Sequence, residues 1–500
     1  MHVKLQNRRL TQGLLISAGI MLLAAASAWA GGSTESATTS GKSFSGTIQT
    51  YAESYSPNQV FAPNQIRPTE LAKLAKEYST LHPGVKVDFV QNLASGSDYM
   101  TWLRTKSAGG ELPDIVWVQW QKADTSVPHG VLTNLAPHLA AADPYVPGKS
   151  WGETLNKQIV AETRAPDGAT YVINGDYVGT ATYYNKEMFR KAGITTLPTT
   201  WGEFISACQK LKSAGFTPFA WDLAATRTGI DRLSWLTRLF YTNFFMGDWK
   251  KLEFTGTDNV NLKDDAIAVH KGMYGKDNPR WMALWPILKD FSQYWQKDFT
   301  GSDSNGNGPK LAFIAGKVAM YFDGSWAARQ IQSAKPDFQW GTFSNPYPTS
   351  TLTKYATSYD SSASIGGPSS SFQYAIPTQK ADNSMSPAKL TATVDWLMYI
   401  TTAAHDEAIV NQLGEYVPTV DGTEPIPSLM HLGQLISKPL YATFGGYYLN
   451  ESERSAFFRT FQSYVLGQLT LAQFGDQATQ LMNQTSDTLA QQNHWDFAKY

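Results

Sequence analysis

Residues 68–89, with the sequence PTELAKLAKEYSTLHPGVKVDF, place a predicted helix directly before a predicted strand. The apolar residues of the helix recur at helical spacing, at Leu71, Leu74, Ala75 and Tyr78. A Pro-Gly pair ends the helix, and the following residues alternate between apolar and polar as in a strand. Further strands are predicted over 47–51 (TIQTY) and 113–118 (PDIVWV). Strand, helix and strand in this order form a βαβ unit, which predicts an α/β fold with a parallel sheet covered by helices.

A second α/β block starts near 183–185 (YYN). Residues 186–192 predict a short helix that ends at a glycine, and a capping box at Thr200 opens the next helix. Residues 313–322 predict the end of a helix, a tight turn and a strand, and the chain after Tyr448 is expected to be helical. The sequence has no internal repeat of fixed period, which excludes solenoids and propellers.

The composition excludes several classes of protein. Of the 500 residues 42% are apolar, enough for a sizeable core, whereas only 17% are charged and the formal net charge is −1. Such a chain has no strong field to attract nucleic acid or an anionic membrane, and we expect neither as a partner. The single cysteine, Cys208, excludes an intrachain disulfide and a multi-thiolate zinc site. Its place on the apolar face of a predicted helix indicates a small core residue.

The N-terminal residues have the features of an export signal. Two arginines precede an apolar stretch over 14–26, and an Ala-Trp-Ala sequence ends at Ala30. We expect a secretory signal over 1–30 rather than a signal anchor or a twin-arginine signal. Because no cysteine lies near the expected cleavage site, we do not expect a lipoprotein. The residues 31–46, rich in Gly, Ser and Thr, predict a flexible tether. An exported chain with one thiol fits the bacterial periplasm.

Motifs of common enzyme classes do not occur in the sequence. The segment 41–43 (GKS) lacks the earlier glycine of a phosphate-binding loop, and the eight histidines have no metal-binding spacing. Residues 303–308 (DSNGNG) begin like a calcium loop, but Ile314 stands where a glutamate is needed, so we favour a surface turn. A distant carboxylate pair for glycoside hydrolysis stays open. We predict no catalytic residue, no metal ligand and no cofactor.

Aromatic and uncharged polar side chains gather where predicted strands end. Trp117, Gln119, Trp120 and Gln121 lie at the end of the third strand, and the sequence DGSW at 323–326 follows another. Open α/β sheets bind ligands at the carboxyl ends of their strands. Flat rings pack on the apolar faces of sugars, while amides and carboxylates hydrogen-bond to the hydroxyls. This pattern favours a neutral, hydroxyl-rich ligand.

Several longer stretches resemble a known family and occur in its order along most of the chain. They are LPDIVWVQW (112–120), GVLTNLAPHL (130–139), YYNKEMFRKAGI (183–194), LPTTWGEFISACQKLKSAGFTPFAW (197–221), FIAGKVAMYFDGSW (313–326) and TVDWLMYI (393–400). The chain is similar to extracellular solute-binding proteins of the carbohydrate type, the group that includes maltose-binding protein.

The resemblance implies the two-lobed periplasmic-binding-protein fold of type II. Each lobe is expected to be a mostly parallel sheet flanked by helices, and a hinge of several crossings joins the lobes. The N-terminal lobe then comprises 47–176 and 377–420, the C-terminal lobe 181–370 and 424–500, and the crossings lie near 177–180, 370–376 and 418–423.

The resemblance also implies which residues bind the ligand. Trp326 is expected to stack on a sugar, and Asp323, Gly324 and Ser325 belong to the same loop. The other expected contacts come from loops at the strand ends and the first crossing, namely Tyr51, Glu53, Gln119, Trp120, Gln121, Asp176, Trp221, Gly366 and Gly367.

The function implied by the resemblance is capture of a sugar or oligosaccharide between the lobes. The protein, a monomer and not an enzyme, would deliver this ligand to the membrane permease of an ABC importer that has a separate ATPase. Binding favours the closed state because only there do both lobes touch the ligand. Two alternatives stay open: a binding protein for a polyol or a glycerol phosphate, and an exported polysaccharide-degrading enzyme.

Overall fold

The structure is a computed structural model of the chain. It describes residues 44–59, 67–91, 96–120, 123, 127–165, 167–224, 227–256, 260–301, 307–364, 366–367, 371–433 and 451–500. The predicted signal and most of the predicted tether lie outside the described residues. In the described part, no helix combines the length and the apolar character needed to cross a membrane.

Short strands alternate with helices along the chain. The elements before the first crossing are β1 (Gly46–Thr50), α1 (Glu70–Leu81), β2 (Val85–Phe89), α2 (Gly96–Gly109), β3 (Val116–Trp117), α3 (Ala136–Leu139), α4 (Lys157–Glu162) and β4 (Ile173–Asn174).

The middle of the chain begins with a ten-residue strand. Its elements are β5 (Asp176–Asn185), α5 (Lys186–Lys191), α6 (Trp201–Ser213), β6 (Phe219–Ala220), α7 (Arg227–Phe245), α8 (Trp249–Leu252), α9 (Leu262–His270), α10 (Pro279–Met282), α11 (Leu284–Phe291), α12 (Gly308–Ile314), β7 (Met320–Gly324), α13 (Ala327–Ala334), β8 (Trp340–Ser344) and β9 (Gly366–Gly367).

The last part is mostly helical. It contains β10 (Gln373–Ala375), α14 (Pro387–Ile400), α15 (Ala403–Leu413), β11 (Val417–Pro418), α16 (Met430–Gly433), α17 (Glu451–Val465) and α18 (Leu471–Gln492).

Within the described ranges the strands form separate sheets, two small ones around β1 and β10 and a larger one around β5. β1 and β2 run parallel, and Thr50 bridges in parallel to Ile115 beside β3. β10 lies between β3 and β4 and is antiparallel to both. β5 pairs antiparallel with β7 and β8 through its second half, and β6 runs parallel to β7. The first residues of β5 pair with β11 and β9.

The sheets are therefore mixed, whereas the resemblance implied mostly parallel ones. Parallel pairing joins β1 to β2 and β6 to β7 in the described residues, but β5 and β10 run against their neighbours. β5 includes the first predicted crossing, 177–180, and β10 lies within the second, 370–376.

The fold has two lobes, each with its own core. The N-terminal core includes Ile48, Leu71, Ile115 and Trp396, and a satellite cluster around Tyr99 extends it. The C-terminal core is richer in aromatic rings; Trp285 packs against Phe461 and Phe474 at centroid distances of 5.3 and 4.8 Å, which docks α17 and α18 on this lobe. A third cluster contains Tyr177, Tyr183 and Val417 and lies along β5.

Several local predictions are confirmed. The four apolar residues of α1 are all buried. Thr200 and Glu203 form the predicted capping box of α6, and Cys208 lies on the buried face of that helix. Burial raises the pKa of the Cys208 thiol, as expected for an inert core residue. Gly316 has φ +65°, a left-handed conformation that glycine adopts without strain, in the turn between α12 and β7.

Candidate ligand-binding site

The loop after β7 carries Trp326 at the start of α13. The Tyr183 hydroxyl donates to the carbonyl oxygen of Gly324 at 2.8 Å, and the Ser325 amide donates to the carbonyl oxygen of Gly179 at 2.8 Å. These bonds fix the loop to β5. The indole of Trp326 is half-buried and packs against residues of both the N-terminal core and the cluster along β5. The predicted stacking ring thus contacts two separate hydrophobic clusters.

Gly324 makes room for this ring. A Cβ atom built on Gly324 would lie 2.1 Å from Cζ3 of Trp326, far inside van der Waals contact. The indole therefore folds back over the bare backbone of the glycine. The Oγ atom of Ser325 is buried and has no hydrogen-bond partner among the described residues.

Asp323 supports the loop instead of facing a ligand. Its Oδ2 atom lies 2.8 Å from Nη2 of Arg232 on α7, and the two side chains are only 3% and 2% exposed. Its Oδ1 atom accepts from the Gly324 amide at 2.9 Å. A buried carboxylate that is paired in this way stabilises its own loop. The prediction that Asp323 touches the ligand does not fit this placement, because one carboxylate oxygen pairs with Arg232 and the other accepts a backbone hydrogen bond.

Trp221 is likewise part of the C-terminal core, at 1% exposure. It stacks on Trp295 with centroids 5.4 Å apart and lies parallel to Phe322 at 6.3 Å. Phe322 meets Trp235 edge-to-face at 6.0 Å, and Trp235 meets Trp326 edge-to-face at 5.6 Å. The predicted ligand contact at Trp221 is covered by other rings. It is the innermost ring of a series of ring contacts, Trp221–Phe322–Trp235–Trp326, which we call the aromatic column.

The N-terminal lobe contributes aromatic residues around the ends of β1 and β3. Tyr51 is buried, at centroid distances of 4.7 Å from Tyr99 and 5.5 Å from Trp102. Tyr99 donates to the carbonyl oxygen of Trp117 at 2.6 Å, which ties α2 to β3. Because Tyr51 is enclosed by these rings, it acts as their support, and the half-buried Trp102 and Trp117 form the outer surface.

The residues after β3 are more accessible. Gln119 and Trp120 are half-buried, and the Nε1 atom of Trp120 is buried with no hydrogen-bond partner in the described part of the chain. The third predicted contact of this loop, Gln121, lies outside the described residues. An indole N–H without a partner beside an accessible amide side chain suits a ligand with hydrogen-bond acceptors.

Glu53 has two unusual features. Its backbone has φ +47°, a strained value for a residue with a side chain. Burial also raises the pKa of its carboxyl from 4.5 to about 7. Burial raises the pKa of Tyr99 too, and Tyr51 and Glu53 add to that rise, so Glu53 lies near the aromatic group of α2 and β3. Strain and a shifted pKa together are typical of functional loops.

Asp176 is fully buried at the start of β5, next to the first predicted crossing. Its Oδ2 atom accepts from the Tyr55 hydroxyl at 2.7 Å and from the Ser371 amide at 3.2 Å. In the strand pairing, Asp176 faces Pro418 of β11. The carboxylate therefore joins the loop after β1 to the start of β5 and to the segment before β10, and β11 pairs alongside. The expected ligand contact at Asp176 does not fit a side chain that is enclosed in this way.

Gly366 and Gly367 lie in β9 and pair with Gly179 and Val178 of β5. The backbones of these two glycines thus lie against the first residues of β5. Two surface recesses, of about 310 and 380 Å³, lie elsewhere; the first is lined by residues including Phe245 and Tyr355, the second by residues including Tyr184 and Leu197. Among the described residues no three His, Cys, Asp or Glu side chains are grouped to hold a metal ion, and most of the 303–308 segment lies outside them.

Two residues on α7 were not predicted from the sequence. Arg232 is a cation on an otherwise apolar helix face, next to Leu233 and Leu236, and such a residue signals a buried acidic partner. Trp235 lies one turn later and contacts Trp326. No helix was predicted over this stretch, so neither residue was linked to the loop after β7.

The family profile described as "Bacterial extracellular solute-binding protein" matches residues 62–398, about two thirds of the chain. The chain belongs to the bacterial extracellular solute-binding proteins. This match confirms the family that the sequence motifs indicated. It also agrees with the two-lobed fold of this solute-binding protein.

Sequence relatives of this solute-binding protein carry two kinds of name. The Multiple sugar-binding protein of Streptococcus mutans is 25% identical over 288 residues, which cover 55% of this chain and 59% of that protein. The sn-glycerol-3-phosphate-binding periplasmic protein UgpB of Agrobacterium fabrum is 30% identical over 150 residues, 28% of this chain and 31% of that protein. The matched regions thus span less than two thirds of these relatives.

Solved structures agree with the fold. The cyclic alpha-maltosyl-1,6-maltose binding protein of Arthrobacter globiformis has a TM-score of 0.62 at 16% identity, covering 89% of this chain and 100% of that chain. Apo RafE of Streptococcus pneumoniae has a TM-score of 0.61 at 18% identity, covering 89% and 99%. At these identities the likeness shows that the solute-binding protein shares their fold.

Proposed function

We propose that this solute-binding protein captures a carbohydrate between its lobes and delivers it to the permease of an ABC importer. It would act as a monomer in the periplasm, beyond the cleaved signal over 1–30, and would change no covalent bond in its ligand. A separate ATPase would supply the energy for transport.

The position of Trp326 carries this proposal. The ring is half-buried, ends an aromatic column of the C-terminal lobe, and packs against residues of the N-terminal core as well. A sugar face packed on this indole would be in reach of both lobes at once. Contacts that exist only when the lobes are together shift the population toward the closed state.

The polar groups beside the rings suit a hydroxyl-rich, uncharged ligand. Gln119 can donate and accept, Trp120 has an N–H to donate, and Glu53 can accept or, when protonated, donate. The buried cations at the loop after β7 and near the hinge are already paired, Arg232 with Asp323 and Arg329 with Glu415. A neutral solute leaves both ion pairs intact.

A second candidate is an sn-glycerol-phosphate-type solute, favoured by the UgpB relatives. A phosphate monoester needs cationic donors. Arg238 on α7 acts electrostatically on Glu162 and Tyr177, which places a half-buried cation beside the first crossing. Replacing Arg238 with glutamine would then abolish binding of the phosphate and leave sugar binding nearly unchanged.

The deciding experiment is a thermal-shift and calorimetric screen of the purified mature chain. The panel comprises maltose, maltotriose, raffinose, glycerol and sn-glycerol 3-phosphate. The proposal expects a saccharide to raise the melting temperature, to bind without product formation, and to reduce the radius of gyration in small-angle scattering. Binding of only the phosphate ester would replace the carbohydrate proposal by the second candidate, and release of shorter sugars would show an enzyme.

A further inference from the structure

Two residues outside the predicted ligand contacts hold the loop of Trp326, and both lie on α7. Arg232 forms the buried ion pair with Asp323, and Trp235 meets the Trp326 indole edge-to-face, with the ring planes at 70°. Residues three apart on a helix share a face. One face of α7 therefore contacts the loop on both sides of Gly324, at Asp323 and at Trp326.

The Trp326 ring is confined by two contacts, one with the backbone of Gly324 and one with the ring of Trp235. Its six-membered ring covers Gly324, where even a methyl group would collide with it. Its side is in contact with Trp235, which is itself held edge-to-face by Phe322 at 84°. Phe322 lies parallel to the buried Trp221. The orientation of the indole is thus set by a continuous series of ring contacts that begins in the core.

We propose that Trp235 is a positioning residue that fixes the plane of the Trp326 indole for solute binding. The inference rests on the proposed function, because it takes Trp326 as the ring that contacts the solute. A ring already held in its bound orientation loses less conformational entropy on binding. Trp235 thus increases affinity by acting through Trp326.

The geometric part can be tested without any ligand, by fluorine NMR of the full chain labelled with fluorotryptophan. The Trp326→Phe variant identifies the resonance of Trp326. Trp235→Ala should shift and broaden this resonance, whereas Trp235→Phe, which keeps an aromatic edge at the site, should leave it sharp. Trp249→Phe is the matched control, since Trp249 is a half-buried tryptophan on α8 that contacts Lys250. A Trp326 resonance that is unaltered in Trp235→Ala overturns the proposal.

The functional part uses calorimetry with maltotriose and raffinose. Trp235→Ala should weaken binding about three- to tenfold, the range expected for loss of one aromatic pair, and Trp235→Phe should restore most of it. In the Trp326→Ala background, Trp235→Ala should have no further effect, because its action passes through Trp326. Full additivity of the two losses would show an independent contact and overturn the positioning role. If neither sugar binds the wild type, the proposed function fails, and the NMR result alone decides whether Trp235 fixes the ring.

Discussion

Arg329 donates from Nη1 to Oε1 of Glu415 at 3.0 Å, and this ion pair joins α13 of the C-terminal lobe to the segment that leads into β11. The side chains are 9% and 14% exposed. Burial raises the pKa of the Glu415 carboxyl, and the Arg329 guanidinium opposes that rise. The pair therefore stabilises the junction of the lobes only while both partners are present.

Replacing Arg329 with methionine should lower the free energy of unfolding by about 2–4 kcal/mol, since it leaves a carboxylate buried without its cation. Urea denaturation at neutral pH measures this loss. The surface pair of Lys73 with Glu70 supplies a control, because Lys73→Met removes a similar contact from an exposed helix and should change stability by less than about 0.5 kcal/mol. Equal effects of the two substitutions would mean that the Arg329 pair is as weak as a surface pair.

Trp326→Ala should weaken binding of the captured saccharide by about 1–3 kcal/mol, because the sugar loses the ring face on which it packs. The melting temperature of the unliganded protein should fall only slightly, since the ring is half-buried. Calorimetry gives the affinity, and Trp249→Ala is the control for loss of a tryptophan outside the site. Wild-type affinity in Trp326→Ala would remove this ring from the site.

Gly324→Ala adds one methyl group beneath the indole and should displace it, at a cost of about 1–3 kcal/mol in stability and with a parallel loss of affinity. Gly202→Ala is the matched control, because a Cβ atom there meets nothing within 4 Å. The comparison needs melting curves and one binding isotherm for each variant. If Gly324→Ala matched Gly202→Ala in melting temperature and in ligand affinity, the indole would be free to move aside.

Asp323→Asn should destabilise the protein by about 3–5 kcal/mol, because Arg232 then stays buried without its carboxylate. Replacing both partners with leucine should lower the free energy of unfolding by much less than the sum of the losses from Asp323→Leu and Arg232→Leu. Denaturant titrations of Asp323→Leu, Arg232→Leu and the double variant form the cycle. Additive losses would contradict a direct coupling between these side chains.

The stability of the protein should fall as pH rises from 5 to 8, partly through Glu162. Burial raises the pKa of this carboxyl from 4.5 to about 8, against the lowering effect of Arg238. Between these values the folded state holds a proton that the unfolded state has released, so raising the pH favours unfolding.

Glu162→Gln should remove this component, on the order of 3 kcal/mol across that interval, and flatten the dependence of stability on pH. Glu53, whose pKa is raised to about 7 by burial, contributes in the same direction and is unchanged in the variant. The difference between the two pH profiles therefore isolates Glu162. Parallel profiles would assign the pH dependence to other groups.

Local patterns predicted the fold well because each of them is determined by neighbours in the chain. The spacing of Leu71, Leu74, Ala75 and Tyr78 specifies the buried face of α1, and the capping box at Thr200 specifies where α6 begins. The Gly-Ser-Trp loop could be found in the same way, because a glycine close to an aromatic ring at the end of a strand is itself a local pattern.

The same reasoning failed for buried polar residues. Asp323 has its partner 91 positions away, and Asp176 accepts from residues 121 and 195 positions away. A carboxylate that faces a ligand and one that supports a loop are identical in sequence. The prediction for Trp221 was wrong for a related reason, since the rings that cover it, Trp295, Phe322 and Phe291, come from distant parts of the chain.

The backbone of Gly175 and the side chain of Asp176 give the hinge a common centre. Gly175 donates to Phe372 of the second crossing and accepts from Thr419 of the third, while Asp176 accepts from Ser371. Because the three predicted crossings share this one hydrogen-bonded anchor, bending at one of them should be transmitted to the other two.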